Sequence, residues 1–201
     1  MVYVALGDVV VRVPYSKDHP VRRTPVYAGA DELPIPPLPD APEGCKEHPA
    51  RAQALHLPFR VAQSPDHLAA PSLEISMFRS SGRARTQEVN ENSFDRARAQ
   101  SQCTNSPSGL TICGRRADDS PSAGGVQIAG GSVATGPRWV AVCGLSSTLV
   151  DDCQVRYLLR QGVSVGYEFN QQQVSLERMF ELDPSIRDWL DSLVVENYPW
   201  P

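Results

Sequence analysis

The chain has 201 residues, 41% of them hydrophobic, and a formal net charge of −4 at pH 7. That length suits one domain, 1–201, or two small lobes, 1–100 and 101–201. The 18 prolines and 14 glycines interrupt the sequence too often for long helices except near the C-terminus. Nine acidic and only four basic residues follow residue 144, and this balance argues against nucleic acid as the main partner.

The N-terminal half begins with strands. Two apolar runs on either side of Gly7 predict a tight hairpin over residues 2–13. A second antiparallel pair is predicted within residues 55–78, where Pro58 favours an edge strand or a bulged strand. The Pro-dense residues 33–39 predict an extended, polyproline-type segment on the surface.

The middle of the chain has weaker patterns. Residues 80–102 are polar and show no periodic apolar face, so a loop and a short solvated helix both stay open and we assign no element to them. Residues 103–113 predict a turn that leads into a strand, and residues 137–142 predict another strand. The stretch between them, 116–136, is rich in glycine, alanine and serine and predicts a flexible loop.

The C-terminal region has the clearest pattern, a hairpin followed by a helix. Residues 154–159 and 163–169 alternate around a turn at Gly162. Asp183 followed by Pro184 predicts an N-cap and a first-turn proline. The apolar residues that follow at helical spacing, and that we expect in the core, are Ile186, Trp189, Leu190, Leu193 and Val194. The whole pattern predicts an α+β, β-rich fold with antiparallel sheets, long Pro/Gly-rich loops and a C-terminal helix.

Four of the five cysteines form two local pairs, Cys103 with Cys113 and Cys143 with Cys153. A disulfide in each pair would close a loop of about ten residues and stabilise the fold by roughly 2 to 3 kcal/mol. Four buried thiols are the alternative. Zinc is less favoured, because neither pair has the short gap of a zinc knuckle. Cys45 is left over from both pairs, and its pairing stays open.

Disulfides are typical of exported proteins, yet the N-terminus does not have the pattern of a signal peptide. It has no basic segment, and its apolar stretch ends at Gly7. We therefore expect the mature form of a periplasmic protein, in which Met1 replaces a leader that ends in a lipidated cysteine. No apolar run is long enough to cross a membrane, so a lipid anchor is the one membrane attachment that we expect.

The sequence lacks the residue patterns of the common enzyme classes. It has no Gly-x-Ser-x-Gly nucleophile elbow, and its four histidines all lie in the first third of the chain. The proximity of Cys45 to His48 would suit a cysteine nucleophile, but no third group orients the pair. No His-x-x-x-His pair or calcium loop is present. We expect no enzyme activity, no cofactor and no metal.

Two pairs of adjacent aspartates are the candidate partner-binding residues, Asp118 with Asp119 and Asp151 with Asp152. Adjacent aspartates commonly do no more than solvate a turn. An acidic loop also offers hydrogen-bond acceptors to a basic or catalytic cleft of another protein. That functional interpretation applies best to the polar loop between the cysteines at 143 and 153.

An ordered pattern of residues runs through region 143–195. It comprises Cys143…Cys153-x-x-x-Tyr157, Gln161-Gly162, Val163-x-Val165-x-Tyr167-x-Phe169, Leu176-x-x-Met179, Asp183-x-x-Ile186-Arg187 and Trp189-Leu190-x-Ser192-Leu193. This pattern resembles the C-terminal region of exported immunity proteins of type VI secretion, which are small periplasmic lipoproteins. The opening hairpin, residues 3–14, is similar to the mature N-terminus of such proteins.

The resemblance implies a periplasmic protein that binds a cognate toxin and neutralises it by occluding its active site or its membrane approach. The toxin would be a phospholipase or another envelope-attacking effector, and the resemblance carries over no catalytic residue. The alternative is a structural or accessory envelope lipoprotein that assembles through its Pro-rich segment and sheet edges, without enzymatic activity. A third hypothesis is a secreted enzyme with chemistry at Cys45 and His48.

Overall fold

The computed structural model describes residues 1–14, 21–24, 33–34, 45–46, 48–60, 72–79, 85–114, 125–134, 136–145 and 152–199. Within these ranges the elements are β1 (Val2–Leu6), β2 (Val9–Val13), β3 (Arg22–Thr24), β4 (Leu33–Pro34), β5 (Ala50–Arg51), β6 (Ala54–Arg60), β7 (Ser72–Arg79), α1 (Arg85–Gln100), β8 (Cys103–Asn105), β9 (Thr111–Cys113), β10 (Gly125–Gly131), β11 (Trp139–Leu145), β12 (Asp152–Arg160), β13 (Val163–Asn170) and α2 (Leu176–Leu193).

The strands form a ten-stranded sheet and a three-stranded sheet. The large sheet has the order β4-β3-β6-β7-β13-β12-β11-β10-β9-β8, and its pairs are antiparallel. The small sheet has the order β2-β1-β5, in which β1 and β5 are parallel. The two sheets meet between β5 and β6, because Ala52 N donates to Ala5 O at 3.0 Å while Gln53 N donates to Thr24 O at 2.7 Å.

The predicted fold class is confirmed: the chain is α+β and β-rich, with a large antiparallel sheet and a C-terminal helix. The predicted pairings of β1 with β2, β6 with β7 and β12 with β13 are all present. Strand β6 is not an edge strand, because β3 pairs with its residues 54–56. Pro58 lies past the end of that pairing and opposite Glu74 of β7, in a part of β6 where a missing amide donor is better tolerated.

The large sheet uses both of its faces, because side chains alternate between them along each strand. One face packs with α2 and the small sheet into the main core, and its strand residues include Ile75 and Tyr167. The opposite face, called the outer face below, packs with α1 in a smaller cluster around Phe94, Cys113 and Val140. The pairing of β7 with β13 joins strands from the two halves of the sequence in one sheet.

The C-terminal helix begins earlier than predicted, so the assignment of Asp183 as its N-cap is wrong. Helix α2 starts at Leu176, and Ser175 Oγ caps it by accepting the N–H of Arg178 at 3.2 Å. Pro184 lies inside the helix, where it removes one intrahelical donor. The buried stripe of α2 comprises Leu176, Met179, Phe180, Asp183, Ile186, Arg187, Leu190 and Leu193.

The glycine-rich stretch that predicted a flexible loop contains a strand, so that prediction is wrong for Gly125–Gly131. These residues form β10, between β9 and β11. A Cβ at Gly130 would lie 2.8 Å from the Phe94 ring of α1, and one at Gly131 would lie 2.6 Å from the Phe180 ring of α2. The glycines therefore permit close helix packing on both faces of the strand.

Helix α1 occupies the polar stretch to which the sequence pattern assigned no element. Phe94 is the single buried residue among the described side chains of this helix, which explains why no apolar periodicity predicts it. In the Pro-rich segment, Leu33–Pro34 pair with β3 as a short strand. Residues 35–39 of that segment lie outside the described ranges.

Candidate functional site

Both predicted disulfides are confirmed, and each connects two neighbouring antiparallel strands. Cys103 and Cys113 lie opposite each other on β8 and β9, with their Cα atoms 4.2 Å apart. Cys143 and Cys153 lie opposite each other on β11 and β12, with their Cα atoms 4.0 Å apart. The first bridge belongs to the cluster under α1 and the second to the main core. Each bridge therefore fixes the register of its own strand pair, and the two bridges lie on opposite faces of the sheet. Cys45 is part of neither.

Replacing Cys143 and Cys153 together by alanine should lower the free energy of unfolding by about 2 to 3 kcal/mol, the entropy of a closed loop of about ten residues. Urea denaturation of the oxidised protein measures the loss. The matched control is the double alanine variant at Cys103 and Cys113, because both bridges have a sequence separation of 10. Since Cys103 is only partly buried, the control should lose less, and a larger loss in the control would contradict the prediction.

Of the four aspartates predicted to bind a partner, the structure describes Asp152 alone. Asp118, Asp119 and Asp151 lie outside the described residues. Asp152 is exposed at the first position of β12, and its Oδ1 accepts a hydrogen bond from Asn170 Nδ2 at 3.0 Å. Because side chains alternate along a strand, Asp152 projects from the outer face while the adjacent disulfide lies in the core.

Asp152 is the first of a row of polar side chains on the outer face of β12 and β13. The next residue in the row is Gln154, whose Nε2 donates to Glu168 Oε1 at 2.6 Å. The strand register places Gln154 opposite Glu168 and Arg156 opposite Gly166. Hydrogen-bonded pairs across neighbouring strands stabilise one another's conformations. This polar row is therefore ordered in the protein without a bound partner.

A cavity of about 280 Å³ opens at the end of the polar row. Its polar lining residues come from four strands and are His56, Glu74, Ser76, Gln154, Arg156 and Glu168. The lining combines two carboxylates, one guanidinium and one imidazole, so it can both donate hydrogen bonds to a ligand and accept them from it.

His56 contacts three neighbouring side chains at this cavity. Its Nδ1 lies 3.0 Å from Ser76 Oγ and 3.8 Å from Glu74 Oε1, and its Nε2 lies 3.4 Å from Thr24 Oγ1. In a serine nucleophile site, the serine and the carboxylate face opposite ring nitrogens. Here both approach Nδ1, so the arrangement suits the binding of a ligand group better than the activation of Ser76.

A charged cluster is buried in the main core, where α2 packs on the large sheet. Arg187 Nε donates to Asp183 Oδ2 at 2.5 Å, one helical turn away. Tyr167 Oη donates to Asp183 Oδ1 at 2.7 Å, and Trp139 Nε1 donates to Tyr167 Oη at 2.8 Å. The Arg187 guanidinium carbon lies 3.9 Å from the centre of the Tyr157 ring. The cluster connects α2 with β11, β12 and β13.

Burial is the main influence on the titration of this cluster. It raises the pKa of the Asp183 carboxyl, while the charge and hydrogen bond of Arg187 oppose that rise. Burial also raises the pKa of the Tyr157 and Tyr167 hydroxyls well above their usual range, and the Asp183 charge adds to both shifts. The two tyrosines therefore keep their protons at neutral pH.

No family model, curated protein or solved structure matches this chain. Within the described ranges, no helix is long and apolar enough to cross a membrane. The same ranges contain no group of three or more His, Cys, Asp or Glu residues arranged to hold a metal ion. The backbone N–H of His48 donates to Cys45 O at 3.2 Å. The two disulfides are compatible with a protein of an oxidising compartment.

The sequence pattern points to Asp152 but misses both the cavity and the buried charged cluster. The spacing of Asp183 and Arg187 is typical of a helical ion pair, but it does not indicate that the pair is buried. The alternation of Gln154 and Arg156 along β12 was visible, because both fall on the polar side of a predicted strand. Their position beside residues of β6 and β7 depends on strand order, which local sequence does not encode.

Proposed function

We propose that this chain is a periplasmic immunity protein that binds a cognate type VI secretion toxin and neutralises it. The family resemblance of region 143–195 suggests this function. One structural observation supports it, namely the ordered polar row that begins at Asp152 beside the Cys143–Cys153 disulfide. A binding surface that is ordered before association loses less conformational entropy when the complex forms.

The proposed mode of action is occlusion. The polar row, together with residues 146–151 that precede it in the sequence, would cover either the active site of the toxin or the surface with which the toxin approaches the membrane. Following the resemblance, the toxin is a phospholipase or another envelope-attacking effector. The immunity protein contributes hydrogen-bond acceptors and a stable sheet, and no reaction takes place on its own residues.

Co-purification with the product of the neighbouring gene tests the proposal directly. We expect a 1:1 complex in which the lipase or peptidoglycan hydrolase activity of the toxin is abolished. Failure to bind any toxin encoded next to this gene would refute the immunity function. It would favour instead the alternative of an accessory envelope lipoprotein.

Changing Asp151 and Asp152 together to lysine should weaken toxin binding by about tenfold or more, as expected when a charge opposes its partner across an interface. Thermal stability should change little, because Asp152 is exposed and its described hydrogen bond is to Asn170 on the surface. Calorimetric titration measures the affinity. The control is Asp188→Lys, on the exposed side of α2. If both variants bound the toxin with equal affinity, Asp151 and Asp152 would not belong to the interface.

A further inference from the structure

Helix α1 covers only part of the outer face. Its Phe94 packs beside Gly130 and Val140, and Gln87 Oε1 accepts the N–H of Leu158 on β12 at 2.7 Å. The main contacts of α1 are with β9, β10, β11 and β12. The cavity lies beside this covered region, on β6, β7, β12 and β13. It therefore opens on the part of the outer face that α1 leaves accessible.

Gly166 forms the floor of the cavity. It pairs with Arg156 on one side and with Ser76 on the other. A Cβ at this position would lie 3.3 Å from Arg156 Cγ and 3.4 Å from Phe78 Cε1. Both distances are short for a Cβ contact, so the Arg156 stem and the Phe78 ring already lie against the glycine and line the cavity beside it. Such walls suit the aliphatic stem of a long polar side chain.

Two carboxylates share one end of the cavity. The pairing of β13 with β7 ends at Tyr167 and Ile75, and the next residue on each strand, Glu168 and Glu74, lines the cavity. Like charges in such positions destabilise a sheet unless another group neutralises them. Glu168 accepts a hydrogen bond from the neutral Gln154, and Glu74 Oε1 lies 3.8 Å from His56 Nδ1. Within the described chain, neither glutamate has a lysine or arginine nitrogen within 4.0 Å.

We infer that this cavity receives an arginine side chain of the toxin, an inference that rests on the proposed function. The two glutamates outnumber Arg156, so the lining favours a cation over an anion. A guanidinium group presents several N–H donors in one plane and matches neighbouring carboxylates better than an ammonium group does. The stem of the incoming arginine lies beside Phe78. Arginine is also enriched among the residues that dominate interface energies.

The complex with the neighbour-encoded toxin provides the first test. Changing Glu74 and Glu168 together to glutamine should raise Kd by about 10- to 30-fold and make Kd less dependent on NaCl concentration. The control changes Glu177 to glutamine and Asp188 to asparagine, which removes the same charge from α2; its Kd should stay within about twofold of the wild type. An unchanged Kd in the glutamate variant, with the complex intact, would overturn the inference and leave the proposed function standing.

A second measurement does not depend on the toxin. Titration of the ¹⁵N-labelled chain with N-acetyl-L-arginine amide should shift the amide resonances of Gly166 and Ser76, and N-acetyl-L-glutamate should not shift them. The variant with Glu74 and Glu168 changed to glutamine should lose the response. Equal responses to both probes would refute the preference for a cation. If the arginine probe alone shifted these resonances but the protein bound no toxin, the cation site would stand and the immunity function would be refuted.

The remaining alternative occupant is a second copy of this chain. Sedimentation velocity of the free protein should show a monomer at micromolar concentration, whether Glu74 and Glu168 are present or changed to glutamine. A dimer that dissociates only in the glutamine variant would assign the cavity to self-association and overturn its assignment to the toxin.

Discussion

Replacing Arg187 by methionine is expected to lower the free energy of unfolding by about 3 to 5 kcal/mol at pH 7, the usual cost of removing one partner from a buried ion pair. The side chains of Arg187 and Asp183 are 5% and 0% exposed, so water does not compensate for the lost cation. Methionine has a similar length and fills most of the same space. The variant therefore separates the loss of charge from most of the loss of packing. Urea denaturation measures its free energy of unfolding relative to the wild type.

The free energy of unfolding that Arg187→Met loses should depend on pH, and the direction of this dependence follows from the titration of Asp183. Burial raises the pKa of this carboxyl and Arg187 opposes the rise, so removing Arg187 raises the folded-state pKa further. A carboxyl with a raised folded-state pKa contributes stability that is complete below its unfolded value, about 3.9, and is lost as pH rises through the folded value. The deficit of Arg187→Met should accordingly be smallest near pH 4 and largest at pH 7.

The control for this prediction removes both charges. Combining Asp183→Asn with Arg187→Met leaves an amide oxygen for the Tyr167 hydroxyl and no buried ion. We expect the double variant to be more stable at pH 7 than Arg187→Met alone and to lack the added pH dependence. If Arg187→Met lost the same free energy at pH 4 and pH 7, the cause would be lost packing against the Tyr157 ring instead of the unpaired carboxylate.

Local patterns predicted those elements whose partners are close in sequence. The hairpins β1–β2 and β12–β13 combine alternation with a glycine turn, and Gly7 and Gly162 do have positive φ angles of 65° and 85°. Both disulfides join cysteines on neighbouring strands only ten positions apart. Pairing over such short distances closes small loops, so the sequence between the partners determines it.

Elements that depend on distant contacts could not be predicted in this way. The glycines of β10 are typical of a loop, but their function is to admit Phe94 and Phe180 from two separate helices. Pro184 ordinarily marks a helix boundary. In this fold the helix continues through it, because apolar residues on both sides are buried in the same core. Tertiary packing overrides the local signal in each case.

The candidate site shows the same division. Asp152 was predicted because two cysteines bracket its loop in the sequence. The cavity was not predicted, because Gly166 lines it only when β7 pairs with β13, and those strands are separated by about two fifths of the chain. Chemistry that is assembled from Glu74 and Glu168 is therefore a property of the sheet order, which no local motif specifies.

Replacing Trp139 by alanine is expected to cost about 3 to 5 kcal/mol, as for other large aromatic truncations in a core. Trp139 is fully buried, and its ring meets Phe180 edge-on with the centroids 5.5 Å apart. Its indole N–H also donates a hydrogen bond to Tyr167 Oη, and that hydroxyl donates in turn to Asp183. The substitution therefore leaves a cavity and removes the outermost member of the buried hydrogen-bond chain.

Trp189 provides the comparison, because the sequence pattern placed it in the core and the structure shows it only partly buried, with its ring 5.1 Å from that of Phe59. Trp189→Ala should cost about 1 to 2 kcal/mol, since less apolar area is lost. Trp139→Phe, which keeps a ring but no donor, should fall between the two alanine variants. Chemical denaturation ranks the three. If the two alanine variants lost the same free energy of unfolding, the difference in burial between Trp139 and Trp189 would not determine the cost, and the prediction would be wrong.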